Sequence, residues 1–114
     1  MDIIRKVTET IYSMVDVDID RVWVQTGWDQ YSLYLNNTTV VIDLYHNPDL
    51  SRVILSVKED EEAEDVIIED IVVSEEELIQ INNWLFSGLR TTDGETITDL
   101  EGNKITTVDT FVNV

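Results

Sequence analysis

Three aspartates alternate along Asp16-Val17-Asp18-Ile19-Asp20, the spacing with which a calcium-binding loop begins. Such a loop needs glycine at its sixth position, for a sharp turn, and a bidentate glutamate at its twelfth. Counted from Asp16, those positions hold Arg21 and Gly27, so the run lacks the rest of a calcium site. On extended backbone, alternate residues point the same way at about 6.6 Å intervals. Asp16, Asp18 and Asp20 then read as a row of carboxylates facing a partner. The imidazole of His46 is the chain's only one, beside the turn Asn47-Pro48-Asp49. Without cysteine there is neither a thiolate nucleophile nor a thiolate metal site. No serine lies in a Gly-x-Ser-x-Gly frame, and the four glycines are too dispersed to cradle phosphate. A carboxylate pair could serve as general acid and base, but 24 acidic residues single out no pair. These residues predict a protein that is not an enzyme and carries no cofactor or metal.

Charge is the outstanding feature. The 114 residues carry a net charge of −17. Residues 1–57 hold 8 acids and 4 bases, a net of −4, while residues 58–114 hold 16 acids and 3 bases, a net of −13. Between Glu59 and Glu77 lie 11 acids and no base in 19 positions. Such a field opposes its own compaction and repels phosphate. It disfavours direct binding to nucleic acid or anionic membrane and favours a basic partner. A halophilic surface is the bland alternative. One alanine against 13 isoleucines and seven asparagines, with the charge clustered, fits an AT-rich genome better. In Glu75-Glu76-Glu77 the acids suit a helix N-terminus through its dipole. The run Glu59, Asp60, Glu61, Glu62, Glu64, Asp65 has no such structural reason and is the stronger binding candidate, continued by Glu69 and Asp70. Trp28, beside a turn, and Tyr34, on an outward strand face, are the candidate exposed aromatics. Interface hot spots favour such side chains.

The elements that position these groups follow from apolar spacing. Ile3, Ile4, Val7, Ile11, Met14 and Val15 keep one face of a helix over residues 2–15. A strand over 21–26 is stopped by Gly27. A second places Tyr31, Leu33 and Leu35 on one side, with Ser32 and Tyr34 on the other. Asn36-Asn37-Thr38 turns the chain into a third strand, 39–46, with Val40, Ile42 and Leu44 inward. The fourth, 52–58, turns Val53, Leu55 and Val57 inward. After the acidic run comes a fifth strand, 66–73. Ser74 and Glu77 form a capping box for a helix reaching about Ser87, with Gly88 as its stop. The near-repeat Asp93-Gly94-Glu95-Thr96-Ile97-Thr98 and Glu101-Gly102-Asn103-Lys104-Ile105-Thr106 predicts a hairpin with its tip at 101–103.

The expected fold is one α+β domain over residues 1–114, of order α-β-β-β-β-β-α-β-β. Its antiparallel meander sheet carries both helices on one face. The composition is 43% apolar, enough for a core, with no stretch long enough to span a membrane. The N-terminus lacks the pattern of a secretory signal, so a cytoplasmic protein is expected, as a monomer or small homo-oligomer.

In size, charge and lack of catalytic motifs, the chain resembles a functional class: the small acidic inhibitors that phages and mobile elements direct against host nucleic-acid enzymes. The resemblance implies a DNA mimic of anti-restriction or anti-CRISPR type, acting in a bacterial cytoplasm. Its carboxylates would occupy the basic channel of a nucleic-acid-binding protein such as a nuclease. Two other readings share the composition. One is an immunity or antitoxin protein that neutralises a basic nuclease toxin. The other is a phage structural or adaptor subunit whose charge serves solubility.

Overall fold

A computed structural model describes residues 2–14, 22–35, 38–59 and 64–112. The chain opens with α1 (Ile3–Met14), followed by β1 (Val24–Gly27), β2 (Gln30–Tyr34), β3 (Thr39–Asn47), β4 (Leu50–Lys58) and β5 (Val66–Val73). Then come α2 (Glu75–Leu85), β6 (Thr96–Thr98), β7 (Lys104–Thr107) and α3 (Val108–Val112). The first five strands form one antiparallel sheet in sequence order, and β6 and β7 form a separate hairpin. This is the α+β meander that the strand patterns predict, with one short helix added at the end.

Strand register explains the core. Tyr31 lies opposite Ile42, Leu33 opposite Val40, Ile42 opposite Leu55, and Leu44 opposite Val53. Paired residues share a side of the sheet, so these apolar chains make one continuous face. Ile3, Val7 and Ile11 of α1 and Ile81 and Leu85 of α2 belong to the same buried cluster. Trp23 joins it and meets Trp84 with ring centroids 6.2 Å apart. Tyr31 reaches through the core edge to donate to Asn82 Oδ1 at 2.8 Å. Burial, then the negative charge of Asp29, pushes that phenol's pKa up.

The opposite side of the sheet is covered too, in part. Ser32, Val41 and Ser56 alternate with core residues, yet all three are buried, as is Val24 opposite Ser32. The segment after α2 runs along the outer edge of β1. Gln25 N–H donates to Leu89 O at 2.9 Å, and Thr91 N–H donates to Gln25 O at 3.0 Å. Arg90 and Thr98 then exchange backbone bonds of 2.9 and 2.8 Å, tying β6 to the segment beside β1. Ile97 on β6 is fully buried beneath this layer, as is Thr91.

Element ends differ from the sequence reading for identifiable reasons. β1 begins at Val24 because the β1–β2 ladder ends at the Val24–Ser32 pair, while β2 continues to Tyr34 beside β3 alone. Residues 15–21, with the expected helix end and strand start, lie outside the described residues, as does most of the expected Asn36-Asn37 turn. α2 ends at Leu85 because Phe86 turns extended, at φ −66° and ψ 124°. Gly88, at φ +79°, serves the next turn rather than the cap. The capping box is formed as expected: Glu77 N–H donates to Ser74 Oγ at 3.1 Å, and Ser74 N–H donates to Glu77 Oε1 at 3.0 Å. Ser74→Ala should therefore cost about 1 kcal/mol of stability. A urea melt reads the loss as a lower midpoint with unchanged slope.

Candidate functional site: an acidic cleft

Where the C-terminal layer meets β2 and β3 it leaves a cleft of about 710 Å³. Its floor is the polar side of the sheet, with Ser32, Tyr34, Thr39 and Val41. Glu59 and Asp65 reach it from the two ends of the acidic run, and Asp93, Glu95 and Asp109 come from the C-terminal segment. Among the described residues, Lys58 is the single basic residue in the lining. All five carboxylate residues are exposed. The rim is therefore strongly negative, around a floor of hydroxyls and one aromatic ring. Among the described residues, no three His, Cys, Asp or Glu side chains are gathered closely enough to hold a metal ion. The arrangement suits cationic side chains entering separately.

Not every rim carboxylate has the same work. Asp93 Oδ1 accepts from Glu95 N–H and Thr96 N–H at 2.8 Å each, and from Thr91 Oγ1 at 3.3 Å. Asp99 repeats the device, accepting from Glu101 N–H and Asn103 N–H at 2.9 Å each. The two aspartates turn the backbone ahead of Gly94 and Gly102, which have positive φ. The near-repeat shares these two glycines, while its carboxylate acceptors differ in place: Asp93 opens the first copy and Asp99 precedes the second. Backbone N–H donors hold both carboxyls below their ordinary pKa. The same holds for Glu77, through the backbone and side chain of Ser74. A lowered folded pKa stabilises above the unfolded value, and that contribution is lost as pH falls through the folded one. Asp93 thus builds the rim, while Glu59, Asp65 and Glu95 are placed by backbone that other groups hold.

The structure separates the remaining candidates. Glu64 is exposed beside the cleft but does not line it. Glu69 pairs with Lys6 of α1 at 3.6 Å. Asp70, on the other face of β5, accepts from Arg52 Nε at 2.9 Å and from its Nη2. That bond, and then the charge of Asp70, raises the pKa of Arg52. The described acids of residues 59–77 therefore do not form one surface. Asp16, Asp18, Asp20, Asp60, Glu61 and Glu62 lie outside the described residues. Trp28 stands 91% exposed in the β1–β2 turn, as its position predicts, and borders a shallower depression with Tyr45 and Ile54. Tyr34 is half-buried in the cleft floor rather than exposed on an outward face, because the C-terminal layer rises beside it. Burial raises its pKa. His46 Nδ1 lies 3.2 Å from Ser51 Oγ, its neighbour across β3 and β4. Ser51 is itself buried on the core side.

Asp93, Glu95 and Asp109 were not singled out by the sequence, because they are scattered through a segment of modest charge density. One signal pointed toward their side of the sheet. Ser32, Val41 and Ser56 are small or apolar where an open face would carry long polar chains.

Comparison with protein-family models, with curated proteins and with solved structures finds no match to this chain. No helix among the described residues is long and apolar enough to cross a membrane.

Proposed function

We propose that the protein is a non-catalytic binding protein of the cytoplasm whose acidic cleft engages lysine and arginine side chains. It acts as an inhibitor that takes the place of nucleic acid on a basic nucleic-acid-binding enzyme. The observation that carries this reading is the convergence of Glu59, Asp65, Asp93, Glu95 and Asp109 around one cleft with a single lysine among its described residues. These carboxylates come from three separate parts of the chain, so the convergence is a property of the fold. Duplex DNA presents one charge per roughly 1.7 Å of axis, and a channel built for it offers a matching density of Lys and Arg. A rim of fixed carboxylates competes for those groups without a nucleic-acid backbone. Half-buried Tyr34 gives the floor an aromatic surface against which a cationic head can rest.

Low-salt affinity capture from a bacterial lysate, followed by mass spectrometry, tests the reading. The retained proteins should be basic and nucleic-acid-binding, and should elute as salt shortens the Debye length to roughly 3 Å near 1 M. Retention of neutral or acidic proteins through a salt-insensitive contact would count against it.

A further inference from the structure

The main sheet has two edges, and they are finished differently. The outer edge of β1 is occupied, because Gln25 exchanges backbone bonds with Leu89 and Thr91. The outer edge of β5 faces no described strand. Its hydrogen-bonding parity follows from the hairpin register. Leu35 N–H donates to Thr38 O, and Leu44 N–H donates to Asp29 O. Even-numbered β3 residues therefore bond toward β2 and odd-numbered ones toward β4, since hydrogen-bonded pairs alternate in an antiparallel ladder. Asp43 opposite Ile54 and Tyr45 opposite Arg52 are then bonded pairs, which turns the backbone groups of Val53 and Ser51 toward β5. Their partners Ile71 and Val73 point inward, and so does Glu69 opposite Leu55. The N–H and C=O groups of Asp70 and Val72 point out from the edge.

Side chains along this edge are unusually apolar for an open strand. Val66, Ile67 and Val72 are 59%, 65% and 64% exposed. Edge strands are commonly protected by charges, but the two charges within β5 are engaged locally, Glu69 with Lys6 and Asp70 with Arg52. Charge at the strand ends selects the occupant. Glu64 and Asp65 precede β5 and Glu75 and Glu76 follow it, all exposed. A second copy would bring acids against acids at both ends, whether it paired parallel or antiparallel. We infer that the β5 edge takes an extended segment of a cationic partner as a sixth strand. This segment alternates apolar residues along its length and carries Lys or Arg at both ends. Backbone bonds to Asp70 and Val72 would hold it, as in strand addition at other open sheet edges. The inference rests on the proposed function only in requiring a basic partner, and it assigns that partner a second contact away from the cleft.

The probe is a synthetic peptide of alternating Val and Thr flanked by paired lysines, added to the full chain. Amide hydrogen exchange is followed residue by residue. The Asp70 and Val72 amides should slow by at least about tenfold, while Glu69 and Ile71, already bonded to β4, should change little. A peptide of equal charge with central prolines should not produce the pattern. Val72→Pro removes one outward donor and should weaken peptide binding with the thermal melt retained. If that variant fails to fold, the exchange pattern of the unmodified chain decides alone. Equal binding of the proline peptide, uniform slowing without alternation, or protection that appears on concentrating the protein without peptide would each overturn the inference. Because the readout lies on β5, Glu59→Gln with Glu95→Gln, which spares the acids at the ends of β5, should leave the alternation in place. Its failure would not alter what lysate capture reports about the cleft.

Discussion

Replacing Glu59 and Glu95 with Gln and Asp65 with Asn should weaken binding to a basic partner about 100-fold while leaving the fold intact. Three carboxylates that each lose a pairing of about 1 kcal/mol sum to about 3 kcal/mol, and each 1.4 kcal/mol is about tenfold in affinity. None of the three side chains is buried, and no described ion pair depends on them. Removing three like charges from a chain of net −17 also relieves self-repulsion. The melting temperature should therefore hold or rise slightly. Opposite fields steer encounter, so the association rate should fall more than the dissociation rate rises. The variant's residual binding should also respond less to salt. Binding kinetics at two salt concentrations, with a thermal melt alongside, read all of this. Asp93 is left in place because its carboxylate builds the turn that carries Glu95.

Ile97→Ala should be among the most damaging single substitutions, costing about 2–5 kcal/mol. Ile97 is the fully buried side chain of β6. Its flanking backbone joins the hairpin to Arg90, and through Thr91 to β1. Truncation leaves a cavity under a thin layer whose other anchors are mostly backbone bonds. The C-terminal layer also carries Asp93, Glu95 and Asp109, so its loosening should weaken partner binding without removing a charge. Ile105 on β7 is 54% exposed and offers a matched control. Ile105→Ala should cost less than about 1 kcal/mol, since exposed positions contribute little. Urea melts of the two variants check both values, and equal losses would show that Ile97 does not anchor the layer.

The sequence reading succeeded where a local pattern carries its own physics. Val40, Ile42 and Leu44 alternate with period two, and β3 turns them into the core. Ser74 and Glu77 stand three apart, and they form both bonds of the capping box. Trp28 follows a glycine and lies in a turn, exposed. Where partners are distant in sequence, the reading fell short. Tyr34 has the position of an outward residue on β2, and only the returning C-terminal segment half-buries it. The acids from Glu59 to Glu77 look continuous in the chain, but strand alternation sends Glu69 and Asp70 to opposite faces, each toward a different cation. The cleft joins Glu59 and Asp65 to residues about thirty or more positions away. α3 escaped notice because five residues are too few to establish a helical period.

The most direct test of the account is competition between this protein and duplex nucleic acid for a partner recovered by capture. The partner's apparent Kd for duplex should rise in proportion to the concentration of added protein, without a limiting plateau. In gel shifts the protein alone should leave duplex unshifted at physiological salt, because its field repels phosphate. A partner that holds protein and duplex together, or a duplex affinity unmoved by saturating protein, would contradict the claim that the acidic cleft takes the place of nucleic acid.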